Sequence, residues 1–251
     1  MKALFLGIAA ALLLGSPQGM ADELKVLSAG AMQRGLVTVA AKFKEQSGDQ
    51  VQIRYATAPE LKKIFSEAGA PADVILAPNP TLADLAKAGK VSPDTQKEIG
   101  GVGSAVLIRL DAPVPDVSNL AAFKRSLTEA DALVYNRASS GTYIDSMLKK
   151  IGVFDQIERK LVRLWDGTAV MHHLLEGKGK EFGFGGITDI LGYRDRGLRL
   201  VGPLPAEIQN YANYSAAVLA AAPDAEGARA FLTYLASPDG RALFVANGIP
   251  E

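Results

Sequence analysis

The chain has 251 residues, no cysteine, and 27 Lys plus Arg against 27 Asp plus Glu. That balance leaves no basic field for a nucleic-acid partner, and the absence of cysteine excludes disulfides and thiol chemistry. With 48% hydrophobic residues, a chain of this length buries one large core or two of roughly a hundred residues each.

Residues 1–21 read as a secretory leader. Lys2 gives a positive start, Ala3 to Leu14 an apolar run, and Gly19-Met20-Ala21 a small-x-small cleavage site before Asp22. The run is too short to span a bilayer, and no later stretch approaches the roughly 18 apolar residues a membrane helix needs. The expected mature protein is exported, soluble and periplasmic. Only one lysine, Lys2, leaves with the leader, so 26 basic residues face 27 acidic ones and any anion site must be local.

Leu24 to Leu27 is a short strand, Ser28 to Met32 a tight turn, and Met32, Leu36, Val39, Ala40 and Phe43 recur at helical spacing up to Gly48. Val51 to Tyr55 alternates as a strand. Thr57 and Glu60 form a capping-box pair ahead of a helix, with Pro59 in its first turn. Asp73–Leu76 and Ser104–Leu110 read as strands around a helix over Thr81–Ala88. A helix near Leu120–Leu127 follows the Pro-rich segment Asp111–Asp116.

Leu133 to Gly152 reads as strand, small polar turn and helix. Ile144, Met147, Leu148 and Ile151 make one apolar face, and Gly152 sits where a left-handed C-terminal cap belongs. Ser139, Ser140, Gly141 and Thr142 lie at the helix start. There, unpaired amides and the positive end of the dipole favour an anion, although Ser139, Ser140, or Thr142 with Asp145, also reads as a simple cap. Beyond it come strands at Leu161–Trp165, Phe182–Gly185, Leu198–Gly202 and Ser215–Ala220. Helices are expected at Thr168–Glu176, Ala225–Ala236 and Pro238–Asn247.

Strand–helix alternation is the signature of an α/β fold, whose ligands bind at the carboxyl ends of the strands. Five strand-to-helix turns are small and polar: Ser28–Met32, Ala56–Glu60, Arg137–Thr142, Asp166–Ala169 and Gly185–Asp189. Together they predict a cleft ringed by helix N-termini. His172 and His173 are adjacent on a helix, about 100° apart, and do not converge on a metal. Ser140, His172 and Asp166 supply the residue types of a hydrolase, without a G-x-S-x-G elbow. Trp165 is expected in the core. Arg34, Arg54 and Arg137, with Tyr55, Asn136, Tyr143, Asn213 and Tyr214, are expected near the cleft or the second crossover between lobes, where an arginine can meet a carboxylate bidentately.

The segments LKVLSAGAM, GAPADVILAPN (Gly69–Asn79), SSGTY, GFGGITD (Gly183–Asp189) and FLTYLASPDGRALFVANG resemble, in order and spacing, the periplasmic molybdate-binding proteins. These are a branch of the type II solute-binding proteins of ABC importers. The resemblance implies a two-lobe type II periplasmic binding fold, each lobe a mainly parallel sheet flanked by helices. Lobe one takes 22–106 and 211–251, lobe two 107–210, and a ligand is held between them. It implies capture of a small anion and delivery to an ABC permease, by a monomer with no cofactor, no metal and no enzymatic activity. Carried over, the family's first-turn serine falls on Ala31, beside Met32. The second falls on Ala58 or Pro59, beside Thr57. A backbone-amide contact falls on Ser140, another on Thr168, and the family's tyrosine on Gly186. Two hydroxyls and a phenol are thus replaced, while Ser140 and Thr168 add hydroxyls. This favours a small organic carboxylate over a tetrahedral oxyanion such as molybdate, with Arg34 or Arg137 as its partner. The alternative from another class is an exported hydrolase built on a Ser/His pair.

Overall fold

The computed structural model describes residues 23–67, 71–137 and 139–250, so the leader lies outside the described residues. β1 (Glu23–Ala29) passes through one 3-10 turn, Gly30–Met32, into α1 (Gln33–Ser47). β2 (Gln50–Ala56) leads to α2 (Ala58–Glu67), and β3 (Val74–Pro78) to α3 (Asn79–Lys87). The long β4 (Lys97–Arg109) and α4 (Leu120–Glu129) follow. Then come β5 (Ala132–Asn136), α5 (Ser139–Lys150), the short α6 (Phe154–Ile157), β6 (Leu161–Leu164) and α7 (Gly167–Glu176). β7 (Glu181–Gly186), α8 (Ile187–Leu191), β8 (Leu198–Pro203) and β9 (Tyr211–Val218) precede the terminal helices α9 (Ala225–Leu235) and α10 (Pro238–Ala246).

The strands form one curled sheet in the order β2-β1-β3-β9-β4-β7-β5-β6, with β8 also on β4. The triplets β2-β1-β3 and β7-β5-β6 are parallel. β9 and β4 run against their neighbours, so the sheet is mixed where it passes from one triplet to the other. β4 pairs with β9 up to Gly103 and with β7 from Ser104, so one strand serves both halves.

Alternation along these strands decides the cores. One core gathers residues between Leu24 and Val102 with others between Tyr214 and Ile249. There Leu36, Val39 and Phe43 of α1 meet Phe231 and Leu235 of α9, with the Phe43 and Phe231 rings edge-to-face at 5.0 Å. In the other half, Val106, Leu133 and Tyr135 point to Phe123, Met147 and Leu148 of α4 and α5. Leu107 and Val134, on the opposite face, meet Val170, Met171 and Leu174 of α7. Ile144, Met147, Leu148 and Ile151 are all buried, and Gly152 follows with φ +75°.

Polar groups fix the joints. The Thr57 amide donates to Glu60 Oε2 at 2.7 Å, and the Glu60 amide donates to Thr57 Oγ1 at 3.4 Å, the capping box read from the sequence. Buried Asp73 accepts the amides of Lys25 and Asp224, each at 2.8 Å, and so ties β1 to the loop before α9. Trp165 is a correction: it is 81% exposed, because β6 is an edge strand ending at Leu164 and the tryptophan enters the turn beyond it.

Asp145 does not cap α5. It accepts from Tyr135 Oη at 2.8 Å and Arg163 Nη2 at 2.6 Å, and it pairs with Lys149 Nζ at 2.8 Å. These donors hold its carboxyl far below the ordinary carboxylate range. Asp145→Ala leaves the Tyr135 hydroxyl without its acceptor in the core, an expected loss of about 1–3 kcal/mol in urea unfolding at pH 7. A carboxyl depressed by folding contributes its stability above the unfolded pKa, near 3.9, and loses it as pH falls further. The gap between wild type and variant is therefore expected to narrow in acid.

Candidate functional site

Six strands end where six helices begin, and all six junctions reach one cavity of about 780 Å³. Ala29, Gly30 and Ala31 come from the start of α1, Ala56 and Thr57 from α2, and Pro78 from α3. Asn136 and Ser140 come from α5, Asp166, Gly167 and Thr168 from α7, and Thr188 and Asp189 from α8. Each helix directs its unpaired first-turn amides and positive dipole end toward its N-terminus, so the cleft favours anions without a lysine cluster. All five turns picked out from the sequence contribute, and the start of α3 adds a sixth.

Of the residues expected at the ligand, Ala31, Thr57, Ser140, Thr168 and Arg34 line the cavity. Met32 does not, because it is fully buried in the first core. Gly141 is also off the wall. A Cβ there would stand 1.6 Å from the Asn136 carbonyl oxygen, so this glycine permits a close strand–helix approach. Arg137 turns away, its Nε donating to the Arg163 carbonyl at 3.3 Å. Gly186 is not itself a lining residue, but a Cβ on it would stand 3.4 Å from Asp189 Oδ2 and 3.9 Å from Thr188 Oγ1, two residues that are. Ala58 and Ser139 open α2 and α5, and their side chains lie outside the described set.

The cap of α5 comes from Asn136, whose Oδ1 accepts the Gly141 amide at 3.3 Å while its Nδ2 donates to Ser140 Oγ at 3.0 Å. Asp166 caps α7, accepting the Ala169 amide at 2.8 Å. His172 stacks edge-on to Tyr193. The residues of the hydrolase alternative are therefore engaged separately and form no relay. Arg34 donates to the Leu191 carbonyl at 3.5 Å, reaching from α1 to the end of α8, and Arg196 lies 5.4 Å over the Tyr193 ring.

Asp189 differs from every other charge in the cleft. Among the described residues no hydrogen bond or ion pair reaches its carboxylate, and the residue is exposed to the cleft while protein crowds it on the other sides. The lost solvation raises its carboxyl to about 6. Tyr214, which lines the same cleft, is pushed up to about 12 by burial and then by the Asp189 charge, so it stays a hydroxyl. Neighbouring Thr188 is 2% exposed, and its Oγ1 has no partner among the described residues. The sequence marks the Gly185–Asp189 turn but does not single out Thr188 and Asp189, because an acid in a helix's first turn is ordinarily a dipole partner.

The sequence profile of the bacterial extracellular solute-binding proteins matches residues 24–249. The chain belongs to this family. It is 29% identical over 247 residues to a Pseudomonas sp. protein named aconitate isomerase, covering 95% of this chain and 93% of that one. The fold is shared with the periplasmic molybdate-binding protein of Azotobacter vinelandii: TM-score 0.73, 19% identity, 91% of this chain and 99% of that one. It is also shared with the sulfate-binding protein SubI of Mycobacterium tuberculosis H37Rv: TM-score 0.74, 17% identity, 90% and 86%. The expectation of a chain without enzymatic activity is corrected by the first of these. A relative matching nearly the whole length carries an enzyme's name, so capture alone does not describe this scaffold.

Asp189 gives a test that needs no ligand. A carboxyl raised by folding favours the folded state while protonated, and this contribution is lost as pH rises from about 4 through 6. Asp189→Asn removes that loss. Its melting temperature is expected to exceed wild type at pH 8 by more than at pH 4, measured by scanning calorimetry.

Proposed function

We propose that the protein binds a small unsaturated polycarboxylate of the aconitate type in this cleft and isomerises it by moving a proton between two carbons. The single observation carrying the reading is a carboxylate, Asp189, without a partner among the described residues, inside a site otherwise built for anions. An anion surrounded by charge on all its atoms would be repelled there. A polycarboxylate is not: it offers charged ends to the helix N-termini and a C–H bond to Asp189. The relative's name supplies the substrate class.

The chemistry balances without a co-reactant. The Asp189 carboxylate removes a proton from the methylene carbon of aconitate, and the electron pair spreads through the double bond and the adjoining carboxylates. The carboxylic acid so formed returns the proton to the former vinyl carbon. The double bond has then changed places, and it can close in the other geometry. A base near pH 6 is ionised at neutral pH, and its conjugate acid is strong enough to give the proton back.

Capture for an ABC permease is the second reading, favoured by the family profile over residues 24–249. In both readings the protein works in the periplasm after the leader is removed. Among the described residues no helix is long and apolar enough to cross a membrane.

Purified protein given cis-aconitate in deuterium oxide is expected to form the trans isomer with deuterium at carbon, followed by NMR. The rate should rise with pH through about 6 as Asp189 loses its proton. Asp189→Asn should lower kcat at least about a hundredfold, as expected for loss of a general base, while a carboxylate ligand still raises the melting temperature. Ligand at a hundred times its Kd adds about 2.7 kcal/mol to stability. Stabilisation by molybdate or tungstate, with neither turnover nor stabilisation by aconitate, citrate or succinate, would sink the proposal.

A further inference from the structure

Thr188 is a buried hydroxyl without a partner, placed on the wall of the anion cleft beside the only acid there that no hydrogen bond or ion pair reaches among the described residues. A threonine in a helix's first turn ordinarily bonds a nearby backbone group, and a buried hydroxyl left unsatisfied is costly. Its surroundings show where it points. A Cβ on Gly248 would stand 4.0 Å from Thr188 Cγ2, so the methyl lies toward the C-terminal turn. A Cβ on Gly186 would stand 3.9 Å from Thr188 Oγ1 and 3.4 Å from Asp189 Oδ2, so both oxygens gather above the same bare backbone. The same Cβ would be 2.9 Å from Val102 Cγ1, so even a methyl here would force the valine to shift.

We propose that Gly186, Thr188 and Asp189 form the subsite for the reacting end of the ligand, with the Thr188 hydroxyl donating to the carboxylate next to the carbon that Asp189 deprotonates. The inference rests on the polycarboxylate reading of the cleft. A ligand carboxylate set directly against Asp189 would meet a like charge, and the adjacent donor resolves that conflict. The carboxylate oxygen goes to Thr188 Oγ1, and the neighbouring C–H turns to Asp189. When the proton leaves, negative charge moves onto that carboxylate as an enediolate, so the Thr188 bond strengthens in the transition state. The other titratable groups on this part of the wall do not compete for the role. Asp166 is occupied as the α7 cap, and Tyr214 stays neutral. Tyr55 also carries a buried unpartnered hydroxyl, but it is absent from the cavity wall.

The test is Thr188→Val, which keeps the shape and removes the hydroxyl, with Thr188→Ser as the variant that keeps it. Without ligand, Thr188→Val should melt at or above the wild-type temperature, because an unsatisfied hydroxyl is replaced by a methyl. Its Kd for tricarballylate, a saturated tricarboxylate that cannot isomerise, should weaken at least about fivefold by calorimetry, as for a lost hydrogen bond to a charged group. Its kcat for aconitate should fall by at least about a further tenfold. Thr188→Ser should stay within about threefold of wild type in Kd and kcat, a side-chain donor being retained. Unchanged tricarballylate affinity in Thr188→Val, or an equal loss in Thr188→Ser, would overturn the assignment. If the wild type binds tricarballylate without turning aconitate over, the isomerase reading fails while the binding measurements still decide the subsite. If the wild type binds no tricarboxylate, both fall.

Discussion

The structure depends on the alignment of strand ends. Within each triplet the parallel strands deliver their chains to helices at one edge, and the two triplets run in opposite directions, so six sets of unpaired amides and six positive dipole ends meet in one cleft. That arrangement follows from the right-handed crossovers of parallel triplets, which put helices on both faces and their N-termini at the strand carboxyl ends. β4 and β9 make the convergence possible. Running antiparallel between the triplets, they bring the second set of strand ends to face the first. The field in the cleft is therefore a property of the fold, and side chains only modulate it.

Against that field, the placement of acids is informative. Asp166 uses its charge at once on the Ala169 amide, an ordinary cap. Among the described residues no hydrogen bond or ion pair uses the charge of Asp189, although helix starts line the same cleft. An oxyanion carrier gains nothing from a free carboxylate in its binding site, since the repulsion weakens capture. A site that must both hold anionic ends and draw a proton from carbon gains a base. In the isomerase proposed above, the positive field that binds the anionic ends would also stabilise the carbanion that proton removal creates.

Much of this was legible in the sequence because it rests on local rules. The Ile144–Ile151 face, the Thr57–Glu60 box and the five polar turns are set by periodicity and capping chemistry, and they appear as read. What was misread depends on neighbours distant in sequence. The Lys97–Gly103 half of β4 alternates poorly and is glycine-rich, so only the pairing with β9 reveals it as strand. Trp165 looks like core until β6 is known to be an edge. Met32 and Gly141 stand within the right turns but face away from the cleft, a distinction of one residue in a tight bend. Arg137 is drawn off by the Arg163 carbonyl across the parallel pair β5–β6. Asp189 carries no local mark at all. Its significance comes from the partners it lacks, and a sequence cannot show those.

Gly186 lies where the anion-binding turns and the Asp189 carboxylate come together. The resemblance to molybdate-binding proteins sets a tyrosine at this position, where a phenol would supply one neutral donor to a compact anion. Here the position is bare, and the backbone it exposes lies under Thr188 Oγ1 and Asp189 Oδ2. On that resemblance, glycine here means a donor given up, a ring's volume left free and an acid uncovered together. For a tetrahedral oxyanion each of these is a loss, since the ligand is left short of hydrogen bonds and nearer to a like charge. For an elongated polycarboxylate each is a gain: the volume takes its carbon skeleton, the six helix starts take its ends, and the acid meets its C–H. A single site can thus lose its fit to one class of anion by the same step that makes it reactive toward another.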